Sequence, residues 1–371
     1  MTGTGLASEA KPSEGDLLLE VEDVVKHFPV RSNSLSARSN ASVRAVEGVS
    51  LDLRVGETLG LVGESGCGKS TLARLISALH PVTSGKIRFK GQEITALDRR
   101  HMRPLRRSIQ MVFQDPYGSL NPRRRVGSIL ADPFAVHTQL SRSEVRKQVQ
   151  ELMARVGLSP EHYNRFPSEF SGGQRQRIGI ARALALRPEL IVCDEPVSAL
   201  DVSIQAQIIN LLEDLQDEFM LTYIFIAHDL SVVRHVSDRL AVMYLGKLVE
   251  TGPVEEIYAR SRHPYTASLL SAVPVADRAF QGERKARVIL SGDVPSPVDP
   301  PSGCRFHPRC PKAQAICARD EPVLEQKPGD PLGHLTACHF PIEEGEPLAK
   351  ASREQSVPVA GEPEPSGEVQ G

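Results

Sequence analysis

The stretch GLVGESGCGKSTLARLI, residues 60–76, decides the fold. An apolar run, Thr58–Val62, leads into a glycine-rich turn, and an apolar helical pattern follows immediately. Glycines let backbone N–H groups converge where side chains would block them, and a helix N-terminus adds partial positive charge. The turn therefore suits an anion, and its spacing matches G-x-x-x-x-G-K-[ST], the P-loop that cradles nucleotide phosphates.

The spacing of this motif predicts a role for each polar side chain. Lys69 should reach the β- and γ-phosphates of ATP, Ser70 should bind Mg²⁺, and Thr71 should lie near the α-phosphate. A chance glycine-rich turn is the alternative, but the strand before the turn and the helix after it favour the P-loop. The predicted nucleotide contacts here are Gly63, Glu64, Ser65, Gly66, Cys67, Gly68, Lys69, Ser70 and Thr71.

The length and charge of the chain narrow the class of protein. Its 371 residues suffice for one large domain with an appendage, or for two domains. The formal net charge of −2 gives no reason to expect a nucleic-acid partner. No apolar run approaches the roughly 18 residues of a membrane span, and residues 1–16 lack the pattern of a signal peptide. We therefore expect a cytoplasmic chain.

Strand and helix patterns alternate through most of the chain. LIVCDEP, residues 190–196, and LTYIFIAHD, residues 221–229, are short buried-strand patterns, whereas residues 122–187 are mostly helical in pattern. This alternation predicts an α/β core with a parallel sheet. Residues 1–16 and 346–371 are poor in apolar side chains and are predicted to be disordered.

Two carboxylates follow one another at the end of the strand predicted in LIVCDEP. Ligands of open α/β sheets bind at the carboxyl ends of the strands. Asp194 is predicted to hold Mg²⁺ through its water shell, and Glu195 to orient and deprotonate the attacking water. A solvated strand end has the same pattern, so the P-loop is what favours the catalytic interpretation.

A second glycine-rich helix start lies in SEFSGGQRQRIGIARAL, residues 168–184. It is another candidate anion site, formed by Ser171, Gly172, Gly173 and Gln174. The segment resembles the LSGGQ signature of the ATP-binding subunits of ABC transporters, with an apolar phenylalanine in place of the leucine. In that family two subunits pack head to tail, and each ATP lies between one P-loop and the opposite signature. A simple glycine-rich helix cap is the alternative.

Three further motifs of the family follow the resemblance. Gln114 in MVFQDP matches the Q-loop glutamine, which contacts Mg²⁺ and water and senses the membrane partner. Asp201, in the segment SALD, matches the D-loop that crosses the dimer interface. His228 matches the switch histidine that contacts the γ-phosphate. With Glu195, the resemblance implies that Gln114 and His228 are catalytic.

An aromatic residue near the N-terminus matches the family's adenine-stacking position. Phe28 in VVKHFPV is that residue, with His27 as a neighbouring candidate and apolar packing as the alternative role of Phe28. The resemblance covers roughly residues 17–264.

The resemblance also implies an architecture. We expect a P-loop NTPase (RecA-like) core of the α/β class, an antiparallel β-subdomain and a helical signature subdomain at about residues 115–185. The nucleotide-binding domain should span residues 17–265, and a cysteine-containing C-terminal extension residues 266–345.

Finer resemblance suggests a substrate class. MVFQDPYGSLNPRRRVG, HPYTASLLSAVP and PSGCRFHPRCPKAQAIC are similar to segments of the ATP-binding subunits of oligopeptide and dipeptide importers. Tyr117 and Gly118, with residues 123–125, resemble the second (F-type) of two paired ATPases. The implied partners are a second, paralogous ATPase subunit, two membrane permeases and an extracytoplasmic solute-binding protein. The chain would then lie peripherally at the cytoplasmic face of the cell membrane.

Other functions fit parts of the pattern. Importers of nickel and of some sugars share many of these segments. A soluble ABC ATPase of DNA repair or translation is a further alternative, but the chain has one P-loop, one signature and no evident basic patch. A P-loop kinase leaves SGGQ unexplained.

Four cysteines cluster late in the chain with the spacing C-x₅-C-x₆-C-x₂₀-C. In a reducing compartment such a cluster indicates metal binding before disulfides. The spacing matches neither the paired zinc motif nor the bacterial ferredoxin motif. The family resemblance favours a structural [4Fe–4S] cluster, with Zn²⁺ and free thiols as alternatives. The predicted ligands are Cys304, Cys310, Cys317 and Cys338, and the competing ligands are His307, His334 and His339.

Overall fold

The computed structural model describes residues 15–30, 41–115, 118–272, 290, 292–346 and 348. The strands are β1 (Leu17–Pro29), β2 (Ser42–Arg54), β3 (Thr58–Val62), β4 (Ser84–Phe89), β5 (Gln92–Glu93), β6 (Ile109–Val112), β7 (Leu190–Asp194), β8 (Thr222–Ile226), β9 (Arg239–Tyr244), β10 (Lys247–Pro253) and β11 (Leu335–Thr336). The helices are α1 (Lys69–Ile76), α2 (Arg99–Ser108), α3 (Val126–His137), α4 (Arg142–Arg155), α5 (Gly172–Leu184), α6 (Val202–Phe219), α7 (Leu230–Val236), α8 (Val254–Ala259), α9 (Pro264–Ser271) and α10 (Ala315–Arg319).

Seven strands form the larger sheet, in the order β11-β10-β9-β3-β8-β7-β6. The neighbours from β9 to β6 are parallel, whereas β10 pairs antiparallel with both β9 and β11. Strands β3, β7 and β8 are buried along their whole length, which explains why their sequences are continuous apolar runs. Their carboxyl ends lie at one edge of the sheet, where ligands of such folds bind.

A second, antiparallel sheet has the order β2-β1-β4-β5. Its buried face packs with α1 in one hydrophobic cluster, which includes Leu19, Val46, Leu72 and Phe89. Register shifts interrupt the pairing of β1 with β2, as β-bulges do where a strand bends. The predicted α/β fold, with an antiparallel sheet beside the parallel one, is confirmed.

Helices α3, α4 and α5 lie between β6 and β7 in the chain and pack against one another. Helix α4 begins with a capping box, in which Ser141 Oγ accepts from Glu144 N–H and the Glu144 carboxylate accepts from Ser141 N–H. The apolar faces of the three helices meet in one cluster, which includes Leu130, Val149, Met153 and Ile178. The limits of this helical subdomain, about residues 115–185, stay a prediction.

Residues 292–345 belong to the predicted C-terminal extension, whose limits stay a prediction, and they pack on the same core. Phe306 is only 1% exposed. Its ring lies against Tyr244, Tyr265 and His263, with centroid separations of 5.3, 5.4 and 5.7 Å. Burial against residues of the core therefore supplies the apolar contacts that a segment rich in proline and glycine lacks by itself.

A buried carboxylate also joins the extension to β10. Glu250 accepts hydrogen bonds from the backbone N–H groups of Arg262 and His263 at 2.6 and 3.0 Å. His334 Nε2 lies 2.7 Å from the same carboxylate, and neither side chain of this pair is more than 1% exposed. His334, which the sequence offered as a metal ligand, is therefore a partner of Glu250.

We expect Phe306→Leu to lower the free energy of unfolding by about 1–2 kcal/mol, since the smaller side chain leaves a partial cavity among three rings. Chemical denaturation of the full-length chain measures it. Val323→Ala is the control, because Val323 is 68% exposed and its truncation should cost little. Equal stability of the Phe306 variant and the wild type would contradict this packing role.

Some predictions lie outside the described residues. Almost all of residues 1–16 and 346–371, which are predicted to be disordered, lie outside the described residues. Tyr117 lies outside them as well. Within the part that is described, Gly15 and Asp16 pair through their backbones with Val55. No helix of that part is both long and apolar enough to cross a membrane.

Candidate nucleotide-binding site

The P-loop connects β3 to α1, as the sequence predicts. Gly63 has φ of 149°, and a Cβ at this position would lie 2.1 Å from the backbone oxygen of Met243. Gly68 has φ of 111°, and its Cβ would lie 2.1 Å from the backbone oxygen of Ala45. Both positions therefore require glycine for space as well as for conformation. Ser65 and Gly66 are exposed on the loop, and Thr71 lies in the first turn of α1.

Lys69 is the buried cation of this loop, at 6% exposure. Its Nζ donates to the backbone oxygens of Gly63 at 2.7 Å and Glu64 at 3.0 Å, and lies 3.7 Å from Cys67 Sγ. An ammonium that is held by neutral acceptors keeps its full charge for an anion. The loop is therefore suited to a phosphate group.

Ser70 and Asp194 come together although they are 124 residues apart in the chain. Ser70 Oγ donates to Asp194 Oδ1 at 2.8 Å. Burial raises the pKa of Asp194, and the hydrogen bond from Ser70 counteracts this. A hydroxyl and a carboxylate beside a phosphate-binding loop are oxygen ligands of the kind that Mg²⁺ prefers. These two residues therefore fit the predicted Mg²⁺ site.

Three predicted catalytic side chains also meet. Gln114 Nε2 donates to Glu195 Oε2 at 2.7 Å, and His228 Nδ1 lies 3.7 Å from the same oxygen. Glu195 adopts φ of 48°, an uncommon left-handed conformation for a non-glycine residue. Its N–H donates to the backbone oxygen of Ile226 at 2.9 Å, which anchors the Glu195 backbone at the strand ends. The sequence predicted all three side chains but not their mutual contacts.

The signature segment begins α5 with its own capping box. Ser171 Oγ accepts from Gln174 N–H at 3.3 Å, and Ser171 N–H donates to Gln174 Oε1 at 3.0 Å. A Cβ at Gly172 would lie 3.4 Å from Leu200 in the D-loop, and one at Gly173 would lie 2.5 Å from Ile204. The signature therefore packs against the D-loop and the start of α6, where Asp201 is the N-cap residue.

Phe28 is half-buried near the end of β1. Its ring packs edge-on against His80 at a centroid distance of 6.0 Å, and Lys26 Nζ lies 5.0 Å from its centre. His27 Nε2 lies 3.0 Å from the carboxylate of Glu47. The adenine-stacking role of Phe28 stays a prediction.

The predicted iron–sulfur cluster is wrong. The four cysteines line one cavity of about 10 Å³, room for a single water at most. Among the residues described, no group of three or more His, Cys, Asp or Glu side chains could hold a metal ion, which also counts against Zn²⁺. Burial raises the pKa of Cys304, and it raises those of Cys310 and Cys338 to about 12. All four are free cysteines, in no disulfide.

Sequence reasoning missed the residues that hold the P-loop from behind. Tyr265 Oη accepts a hydrogen bond from Glu64 N–H at 2.8 Å, across 201 positions of sequence. Arg309 donates to both carboxylate oxygens of Glu64, at 2.8 and 3.1 Å, across 245 positions. No local pattern could have signalled these contacts, because they depend on how segments more than 200 residues apart pack together.

Comparison with known families supports the site. Residues 46–198 match the model of the ABC transporter family, and residues 249–317 match the C-terminal region of oligopeptide/dipeptide transporters. The chain is 56% identical to the oligopeptide transport ATP-binding protein AppF of Bacillus subtilis, over 88% of this chain and 98% of that protein.

The chain belongs to the ABC transporter ATP-binding proteins. Within that family it falls in the oligopeptide and dipeptide branch. It is 53% identical to the oligopeptide transport ATP-binding protein OppF of Salmonella typhimurium, over 87% of this chain and 96% of that protein. It is 48% identical to the dipeptide transport ATP-binding protein DppF of Escherichia coli, over 89% and 96% of the two chains.

Solved structures of ATP-binding cassettes agree with this family assignment. A post-hydrolysis dimer of the ATP-binding cassette MJ0796, bound to ADP and Pi, has a TM-score of 0.57 and 28% identity, and covers 64% of this chain and 99% of that one. The cassette cbiO1 from Clostridium perfringens also has a TM-score of 0.57, with 30% identity over 66% and 91% of the two chains.

Proposed function

We propose that the ABC ATPase hydrolyses ATP at the P-loop with Glu195 as the general base. The observation that carries this is the contact of Gln114 and His228 with the Glu195 carboxylate, beside the pair of Ser70 and Asp194. The protein is an ATPase that energises an ABC importer of peptides, the class to which its relatives belong.

The side chains divide the chemistry among themselves. Lys69 exchanges its backbone acceptors for the β- and γ-phosphates, and Thr71 lies beside the α-phosphate. The Glu195 carboxylate takes a proton from the attacking water, which Gln114 and His228 orient toward the γ-phosphate. Ser70 and Asp194 would hold Mg²⁺, which neutralises phosphate charge when it is bound.

The proposal includes a second ATPase subunit. The backbone amides of Gly172 and Gly173, which lie inside the capping box of Ser171 and Gln174, are suited to a phosphate of the opposite nucleotide. The signature packs against Leu200 of the D-loop, so the two segments would face the same partner. We infer that the partner is a paralogous ATPase subunit, packed head to tail.

The membrane partners are inferred from the same branch. A groove of about 760 Å³ opens beside Gln114, between β6 and α3, and is lined in part by Phe113, Pro133 and Val136. Its mixed apolar and charged walls suit a segment of a permease that would report to the catalytic glutamine. We propose two permeases and an extracytoplasmic peptide-binding protein as partners, with the ATPase at the cytoplasmic face of the membrane.

Co-purification of the tagged full-length chain from native membranes tests this function. Recovery of two permeases, a second ATPase and ATP hydrolysis stimulated by a peptide-loaded binding protein is expected. Stimulation by a binding protein loaded with nickel or a sugar, and not with peptides, would show that the importer's substrate is not a peptide. Recovery with ribosomes or DNA, and without permeases, would overturn the transport function.

Gly172→Asp should spare ATP binding to the monomer and weaken ATP-dependent dimerisation at least tenfold. The added carboxylate would face the phosphates of the opposite subunit, and like charges at an interface cost several kcal/mol. Sedimentation with and without ATP measures the dimer, and titration measures monomer binding. Gly179→Asp on the same helix is the control, because the space at Gly179 is open. A loss of ATP binding to the Gly172→Asp monomer as large as that of Lys69→Ala would contradict the two-subunit site.

A further inference from the structure

Arg309 connects the C-terminal extension to the P-loop. A short 3₁₀ turn, His307–Arg309, follows the buried Phe306 and directs Arg309 to Glu64. The two nitrogens of the guanidinium donate to the two carboxylate oxygens at 2.8 and 3.1 Å. The Arg309 side chain is only 9% exposed. A two-pronged, mostly buried ion pair fixes orientation as well as distance.

Glu64 is held at three points. Its N–H donates to Tyr265 Oη, its backbone oxygen accepts from Lys69 Nζ, and its carboxylate accepts from Arg309. The residue directly before it is Gly63, whose backbone fits against Met243 with no space for a Cβ. The path of the chain into the P-loop is therefore set largely by contacts to Glu64.

Arg309 is itself held by an aromatic platform. Its guanidinium lies 6.0 Å from the ring centre of Tyr244 and donates to Tyr244 Oη at 3.4 Å. Tyr244 packs on Tyr265 at 4.7 Å and on Phe306 at 5.3 Å between ring centroids. The hydrogen bonds to Glu64 raise the pKa of Arg309, so its charge persists at every physiological pH.

The charges give the pair a second consequence. The Glu64 carboxylate belongs to a loop that must accept a triphosphate, and an unpaired carboxylate there would repel the ligand. Arg309 neutralises that carboxylate and leaves Lys69 as the net charge of the loop. Loss of the arginine would therefore both loosen Glu64 and expose its negative charge to ATP.

We infer that Arg309 is a positioning residue for ATP binding, through which the C-terminal extension sets the affinity of the P-loop. This inference rests on the proposed role of the P-loop as the ATP site. It predicts an effect on binding rather than on the chemical step, because Arg309 touches Glu64 and none of the groups proposed to act on water.

Arg309→Gln should raise the Kd for ATP of the full-length chain, and the KM of the assembled transporter, about tenfold, since a hydrogen-bonded charge is lost. The kcat at saturating ATP should change less than twofold. Arg309→Lys keeps the charge without the two-pronged contact and should have an intermediate KM. Glu64→Gln combined with Arg309→Gln removes the unpaired charge and should bring KM back toward the wild-type value.

Arg260→Gln is the matched control. Arg260 also joins the core to the extension, through Asp330 at 3.1 Å, and Asp330 keeps a second partner in Arg262. Its KM should stay within twofold of wild type. A normal KM in Arg309→Gln, or the same rise in Arg260→Gln, overturns the positioning role.

Two further outcomes complete the test. A double variant of Glu64 and Arg309 that binds ATP no better than Arg309→Gln overturns the charge argument. Should Arg309→Gln fail to fold, the KM of Arg309→Lys decides: a raised value with kcat unchanged supports the role, and a normal value overturns it. Wild-type ATP binding by Lys69→Ala would instead refute the P-loop site itself, so the two failures are distinguishable.

Discussion

Replacing Glu195 with glutamine should lower ATP turnover by about a thousandfold, the usual contribution of a general base. Glutamine keeps the shape of the side chain and its contact with Gln114, but its amide cannot accept a proton from water. ATP binding should be unchanged, so ATP-bound dimers should accumulate. Steady-state hydrolysis by the assembled transporter, with equilibrium titration of ATP, measures both effects.

The control for this variant lies at the other end of the same strand. Glu189 precedes β7 and pairs with Lys90 at 3.1 Å, so Glu189→Gln makes the same chemical change away from the site. Its turnover should stay near the wild-type value. If the partner is a paralogous subunit with an active site of its own, the assay uses a partner in which the corresponding glutamate is also replaced by glutamine, so that its turnover does not mask the loss. Wild-type turnover in the Glu195 variant under these conditions would remove Glu195 from the base role.

Lys69→Ala should weaken ATP binding about a hundredfold or more. It removes a buried ammonium from a site built around phosphate. Removing one partner of such a charge pair costs about 2–5 kcal/mol of binding free energy. The P-loop backbone should persist, because Gly63 and Gly68 are fixed by their close approaches to Met243 and Ala45. Titration of the full-length chain with ATP measures the loss.

Lys90→Ala is the control for the loss of a lysine. Lys90 is partly exposed, and its partner Glu189 precedes β7, at the opposite edge of the parallel sheet from the P-loop. Its ATP affinity should be that of the wild type. Tight ATP binding by Lys69→Ala, in a chain that is folded by its circular dichroism, would exclude the assigned P-loop.

The parts of the site that sequence predicted are the contiguous ones. Gly63 to Ser70 form a motif because the backbone itself makes the phosphate cradle, and its spacing survives in any fold that contains it. Asp194 and Glu195 were predictable because a buried parallel strand is an unbroken apolar run, so its carboxyl end is visible in the sequence. The signature was recognisable because its glycine-rich helix start is one contiguous segment that resembles LSGGQ.

The metal site predicted at the four cysteines was wrong for a physical reason. Spacing indicated that Cys304, Cys310, Cys317 and Cys338 would come together, and they line one cavity. Whether such a group binds metal depends on the arrangement of its side chains and on the space between them. Neither quantity is encoded in the intervals between cysteines.

The sequence by itself determined the nucleotide motifs, the order of strands and helices that carries them, and the family. Tertiary structure decided what lies behind the P-loop. The contacts of Glu64 with Tyr265 and Arg309 span 201 and 245 residues, and they exist because Phe306 is buried among rings of the core. Short-range patterns report backbone conformation, whereas burial and charge pairing arise only when distant segments pack together.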